Sequence, residues 1–148
     1  MPPSGGIFLE NSCVIRFDYV WRFLPILIIG TNCLPKQWVA TCLGLVVLVR
    51  RTHFYDLPTI AHELAHCRQT IKGLGLIHFS RYHCVTAYRF KCEAEAFAEE
   101  INQCTGSDQP SRSSDAIDSL THCYRLNCTP LAAREAIQAY LHKKSVVN

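Results

Sequence analysis

The sequence predicts an α+β fold: a small antiparallel hairpin or sheet, followed by a metal-binding helix and further helices. Three observations carry this expectation. Residues 21–49 contain two runs rich in Val, Leu and Ile, broken by Pro25, Gly30, Asn32, Pro35, Lys36 and Gln37, which is the pattern of short strands around a turn. Beyond residue 57 the apolar residues change period. Ile60, Leu64, Cys67 and Ile71 form one helical stripe, and Phe90, Ala94, Phe97 and Ile101 form another. The first of these stripes shares its helix with the pentapeptide His62-Glu63-Leu64-Ala65-His66.

Taken in order, residues 1–12 read as a loose arm, and Val14 to Phe23 as a helix or a strand, which periodicity does not decide. Two strands follow around a turn at Asn32–Lys36, the second running to Val49. Pro58 and Thr59 mark a helix start, and Gly73-Leu74-Gly75 ends that helix. Leu76 to Thr86 is expected to form a short helix that returns the chain toward the second stripe. Thr105 to Ser114, rich in Ser, Asp, Gly and Pro, reads as a loop. Asp115–Arg125 and Pro130–Lys144 read as a helical pair, the second opened by Thr129-Pro130. A chain of 148 residues fits one compact domain. That domain divides into the arm (1–12), a core with the metal site (13–104) and a C-terminal helical pair (105–148).

Composition narrows the function. Hydrophobic residues make up 49% and charged residues 18%, which argues against disorder over most of the length. The net charge of +3 is modest, and Arg50, Arg51, Arg68, Lys72, Arg81, Arg89 and Lys91 are scattered, so no nucleic-acid surface is expected. Neither apolar run in 21–49 reaches the roughly eighteen residues of a spanning helix. Peripheral contact through that hairpin is the membrane role left open. Nine cysteines are many, but the number is odd and no Cys-x-x-Cys occurs. The N-terminus lacks a basic start followed by an apolar run and a cleavage site. A cytoplasmic chain with reduced, mostly buried thiols is the expectation, with Cys123 and Cys128 pairing only in an oxidising compartment.

The chemistry centres on His62, Glu63 and His66. Residues four apart on a helix lie one turn on and nearly in line, so both imidazoles can meet one zinc ion. Glu63 is the candidate general base for a zinc-bound water. The bland alternative is a pair of core or surface histidines on an ordinary helix. A third ligand must come from elsewhere, and a His₂Glu set is a known catalytic arrangement. Separated from His66 by twenty-six residues, Glu93 sits at the edge of the second stripe, where a carboxylate can reach inward. Glu95 and Glu99 fall on the far side, as on a solvated helix face near its own N-terminus. Glu93 is therefore the expected third ligand, with Glu95 as the fallback. Cys84 and Cys92 flank this region without zinc-knuckle spacing and are read as core.

With these residues in hand, the stretch 35–101 resembles the minimal gluzincin metallopeptidases of bacteria and phages. Glu93-Ala94-Glu95-Ala96 looks like their Glu-x-x-Ala pattern. His62-Glu63-Leu64-Ala65-His66-Cys67-Arg68-Gln69 looks like the His-Glu-Leu-x-His-x-x-Gln form found in domains associated with contractile injection systems. Ala40-Thr41-Cys42-Leu43-Gly44 through Val49 is similar to the strand that precedes their metal helix. Two positions depart from the pattern. Arg68 stands where a hydrophobic residue is usual, and Phe97 stands where an acid four after the glutamate ligand would orient a histidine. Glu99 keeps that spacing from Glu95.

The resemblance implies a zincin-like fold and zinc-dependent hydrolysis of peptide bonds, in an endopeptidase with Glu63 as base. The Leu45–Val49 strand, if at the sheet edge, would pair with an extended peptide or protein substrate, through Leu45, Val47 and Val49. Tyr82, His83 and Tyr88 are polar candidates for the oxyanion partner, and spacing singles out none of them. The principal rival is a non-catalytic zincin-fold metal-binding or interaction module of a phage or secretion-type assembly.

Overall fold

The computed structural model describes residues 7–9, 13–20, 23–124 and 126–145. Five strands form one sheet: β1 (Ile7–Leu9), β2 (Cys13–Val20), β3 (Leu24–Thr31), β4 (Ala40–Leu43) and β5 (Val46–Arg50). Their order is β1-β2-β3-β5-β4, with β3 and β5 parallel and every other neighbouring pair antiparallel. Five α-helices follow: α1 (Leu57–Lys72), α2 (Leu76–Cys84), α3 (Thr86–Gln103), α4 (Asp108–Asp118) and α5 (Pro130–Ser145). A five-residue π-helical turn, Ser119–Cys123, extends α4. The architecture is α+β, as expected.

Alternation along the strands decides which face of the sheet is covered. The register sets Val14 opposite Gly30, Ile28 beside Val47, and Val49 opposite Ala40. These residues share a face with Val20 and Ile26, and α1 covers that face with Ile60 and Cys67. The α1 stripe read from the sequence is thus the contact with the sheet, since Leu64 and Ile71 pack on the same cluster. Gly30 is required here because a Cβ at this position would lie 2.6 Å from Cδ2 of Phe54. Phe54 itself is 1% exposed. The α3 stripe serves a second cluster: Ala94, Phe97 and Ile101 pack on Ala116, Leu120, Ala133 and Ile137 of α4, the π turn and α5. Between the two clusters lies the seam where α1 meets α3.

Several expectations are corrected. The segment left undecided at Val14 is strand β2, and within the arm Ile7–Leu9 is strand β1; Met1–Gly6 and Glu10–Ser12 lie outside the described residues, as do Trp21 and Arg22. The turn at Asn32–Lys36 does not join a β3 hairpin. The run to Val49 is itself the hairpin β4–β5, turned at Gly44 with φ +74°, a conformation glycine adopts without strain. The apolar run is unbroken except for that one glycine, so it reads as a single strand.

β5 is therefore interior, paired on both sides, with Val47 and Val49 fully buried. Leu45 lies in the turn. Leu45, Val47 and Val49 cannot offer an open edge, and the edge strand is β4. Finally, most of the supposed loop 105–114 is helical, since α4 begins at Asp108. Pro110 falls in the first turn, where a missing N–H costs nothing. Arg125 lies outside the described residues. Among the described residues no helix is long and apolar enough to cross a membrane.

Candidate metal centre

Asp56 stands at the N-cap of α1, and the helix then runs without a break to Lys72. The side of α1 away from the sheet stripe carries His62, Glu63, His66 and Gln69, all facing α3 or the cavity beside it. His62, Glu63 and Gln69 are buried, an arrangement that requires a partner for every polar atom.

The partners are specific. His62 Nδ1 donates to Oε2 of Glu100 at 3.1 Å, and His66 Nδ1 donates to Oε1 of Gln69 at 2.9 Å. Gln69 is oriented in turn, because its amide nitrogen donates to the Cys92 carbonyl (2.9 Å) and to Glu95 Oε2 (3.0 Å). Both acceptors of the histidine protons are acceptor-only oxygens, which places the ring protons on Nδ1 and turns both Nε2 atoms inward. Those Nε2 atoms are 3.2 Å apart. Glu93, 1% exposed, closes the triangle: Oε2 is 3.6 Å from His62 Nε2 and Oε1 is 3.5 Å from His66 Nε2.

These distances fit a shared cation. Donors about 2.0–2.1 Å from a tetrahedral ion lie about 3.3 Å from one another, close to the three separations seen. Glu93 Oε2 is buried without a hydrogen-bond partner, an orphan that a cation would satisfy. His62, His66 and Glu93 thus form a cluster that could hold a metal ion. No family model matches the chain, and neither a curated protein nor a solved structure does.

The electrostatics favour positive charge at this point. Burial by itself would lower the His62 pKa, but the hydrogen bond it donates to Glu100 and the neighbouring Glu93 carboxylate overcome this and push it up to about 10. Glu93 moves the other way: burial would raise it, yet the facing His62 ring, 3.6 Å from Oε2, and the nearby His66 hold its carboxyl below the ordinary range. A proton on His62 occupies the place of a cation between the carboxylates. Burial lifts the Glu63 carboxyl above its usual value, against the pull of the two histidines.

The cluster lines a cavity of about 980 Å³ together with Glu63, Tyr82, Phe97, Glu100 and Tyr124. Phe97, found where an orienting acid was sought, stacks edge-on against the His62 ring, centroids 4.6 Å apart. Glu100 takes the orienting role instead, seven residues after Glu93 and on the same helix face. Arg112 anchors it, with Nη1 2.9 Å from Glu100 Oε1 and Nη2 3.0 Å from Asp56 Oδ2. Of the three polar candidates between the ligands, Tyr82 reaches the centre, where its hydroxyl donates a short hydrogen bond to Glu93 Oε1. Tyr88 accepts or shares a proton with His78 at 2.9 Å, and His83 is exposed on the cavity rim. Glu95 is outside the cluster, engaged by Gln69, and Glu99 pairs with Arg68 at 3.2 Å.

Residues 37–44 form one wall of the cavity, including all of β4. Arg50 N donates to the Val39 carbonyl at 2.7 Å, so Val39 and Arg50 form a hydrogen-bonded antiparallel pair. Such pairs alternate along a ladder, which turns the main-chain groups of Ala40 and Cys42 away from β5 toward the open edge. Sequence reasoning missed Glu100, Asp56, Arg112 and Tyr124, and gave Gln69, which closes the motif, no role. Helical spacing from Glu93 could have found Glu100, and spacing from His66 could have assigned Gln69. The supposed loop hid Arg112.

Proposed function

We propose that this chain is a zincin-like, gluzincin-type metallopeptidase that hydrolyses peptide bonds with zinc held by His62, His66 and Glu93. The observation that carries the reading is the inward pair of imidazole Nε2 atoms, 3.2 Å apart, closed by a buried carboxylate with an orphan oxygen. Zinc bound there would polarise a scissile carbonyl and lower the pKa of a water toward about 7. Glu63, in the same cavity, receives the proton of the attacking water and returns it to the leaving amine. Its raised pKa is the direction that suits a base working near neutrality. Tyr82 keeps Glu93 aligned. The open edge at Ala40 and Cys42 gives an extended peptide main-chain partners along the cavity wall.

Metal analysis of the purified protein and a peptide-library digest, with and without chelator, test this reading. Expected are one zinc per chain, cleavage that chelation stops and zinc restores, and loss of cleavage in Glu63→Gln with zinc retained. Bound zinc without cleavage would leave a metal-binding module. Absence of metal at micromolar zinc would overturn the reading altogether.

A further inference from the structure

Cys42 and Cys67 are 25 residues apart in the chain, yet their Sγ atoms lie 3.3 Å from each other across the seam between β4 and α1. Cys42 lines the cavity, so a small solute can reach it. Cys67 follows His66 directly and is fully buried in the sheet-side core. We propose that Cys42 and Cys67 form a reversible disulfide, made by a hydroperoxide entering through the cavity.

A disulfide has its sulfurs about 2.0 Å apart, so this pair has about 1.3 Å to close. The four-residue strand β4 is paired along one side only and can supply that movement. The chemistry balances without further reactants. The Cys42 sulfur attacks the peroxide oxygen, becoming a sulfenic acid and releasing water, or an alcohol from an organic peroxide. The Cys67 sulfur then attacks Cys42 and displaces hydroxide, which leaves as water with the Cys67 proton. Two thiols lose two electrons and one peroxide gains them. The product would tie the edge strand to the helix turn that carries His66. Peroxide reaching this pair needs neither bound metal nor hydrolytic activity.

The test uses the full chain with the exposed Cys33, Cys84 and Cys123 replaced by serine, treated with stoichiometric hydrogen peroxide. Thiols are then alkylated after denaturation, and non-reducing peptide masses are mapped. Expected are the loss of two alkylatable thiols, a cross-linked peptide joining Cys42 to Cys67, and a melting point raised by several degrees that dithiothreitol reverses. Cys42→Ser in the same background should leave Cys67 alkylatable and the melting point unmoved. Cys42 recovered as sulfinic acid beside a free Cys67 would overturn the proposal, and so would cross-links to other cysteines. If the serine background fails to fold, the same mapping on the unsubstituted chain decides between these outcomes.

Discussion

His62 and His66 present their Nε2 atoms to one another at 3.2 Å while their Nδ1 atoms are held by different partners, Glu100 and Gln69. Two ring nitrogens with lone pairs converging on one point repel unless a positive charge lies between them. The arrangement is therefore held by its outer partners, and each of those can be removed separately.

Glu100→Gln and Gln69→Ala should each weaken zinc binding by about 10–100-fold, the usual effect of losing the group that orients a ligand imidazole. Competition against a fluorescent chelator measures this. Glu95→Gln should change affinity little, because Glu95 reaches the cluster only through Gln69. An equal loss for Glu95→Gln and Glu93→Gln would show that the ligand set is wrong.

The raised pKa of His62 makes metal uptake compete with a proton. Since that pKa rises from 6.5 to about 10 in the fold, metal-free protein carries the proton at pH 7 and must release it on binding zinc. Calorimetry in buffers of different ionisation enthalpy should count about one proton released at pH 7. The same shift stabilises the metal-free fold below pH 6.5, and this contribution disappears as pH rises through about 10. The metal-free melting point should therefore fall across that window, and Glu100→Gln should flatten the fall. A pH-independent binding enthalpy together with no proton release would contradict the assignment.

Gly30→Ala should destabilise the fold by about 1–3 kcal/mol, the cost of overpacking a filled core. The new methyl meets the Phe54 ring at 2.6 Å, and that ring is enclosed. Urea denaturation checks it. Stability within about 0.5 kcal/mol of the original would show that the ring can move aside.

Ala40→Pro removes an outward N–H from β4, where an edge strand tolerates proline. KM for peptide substrates should rise several-fold with kcat preserved, as when binding common to ground and transition states is lost. A kcat loss at constant KM would place the substrate elsewhere in the cavity.

Helical period made the centre legible. Ile60, Leu64, Cys67 and Ile71 fixed the phase of α1, and Phe90, Ala94, Phe97 and Ile101 fixed that of α3, which put His62, His66 and Glu93 on facing surfaces. Glu100 shares that period, seven residues after Glu93, but lies outside the four-residue spacing at which an orienting acid is expected. The sheet was harder to read. A parallel pairing such as β3 with β5 depends on which strands meet across the 14 residues between them, and alternation within a strand does not encode its neighbour. Gly44 was the single mark of a hairpin inside an apolar run. In α4, the polar composition suited a loop, and its helical state depends on Ala116 packing in the α3–α5 cluster and on Arg112 bonding across to α1 and α3.

The apolar cluster beneath the sheet and the one among α3, α4 and α5 share no member. Histidines from the helix bound to the first and a carboxylate from the helix bound to the second converge at the join. A captured ion would act as a rivet between two slabs that are each packed on their own side. Chelation should therefore open hydrogen exchange first along the α1–α3 join, while amides in β3 and β5 and in the middle of α5 stay protected.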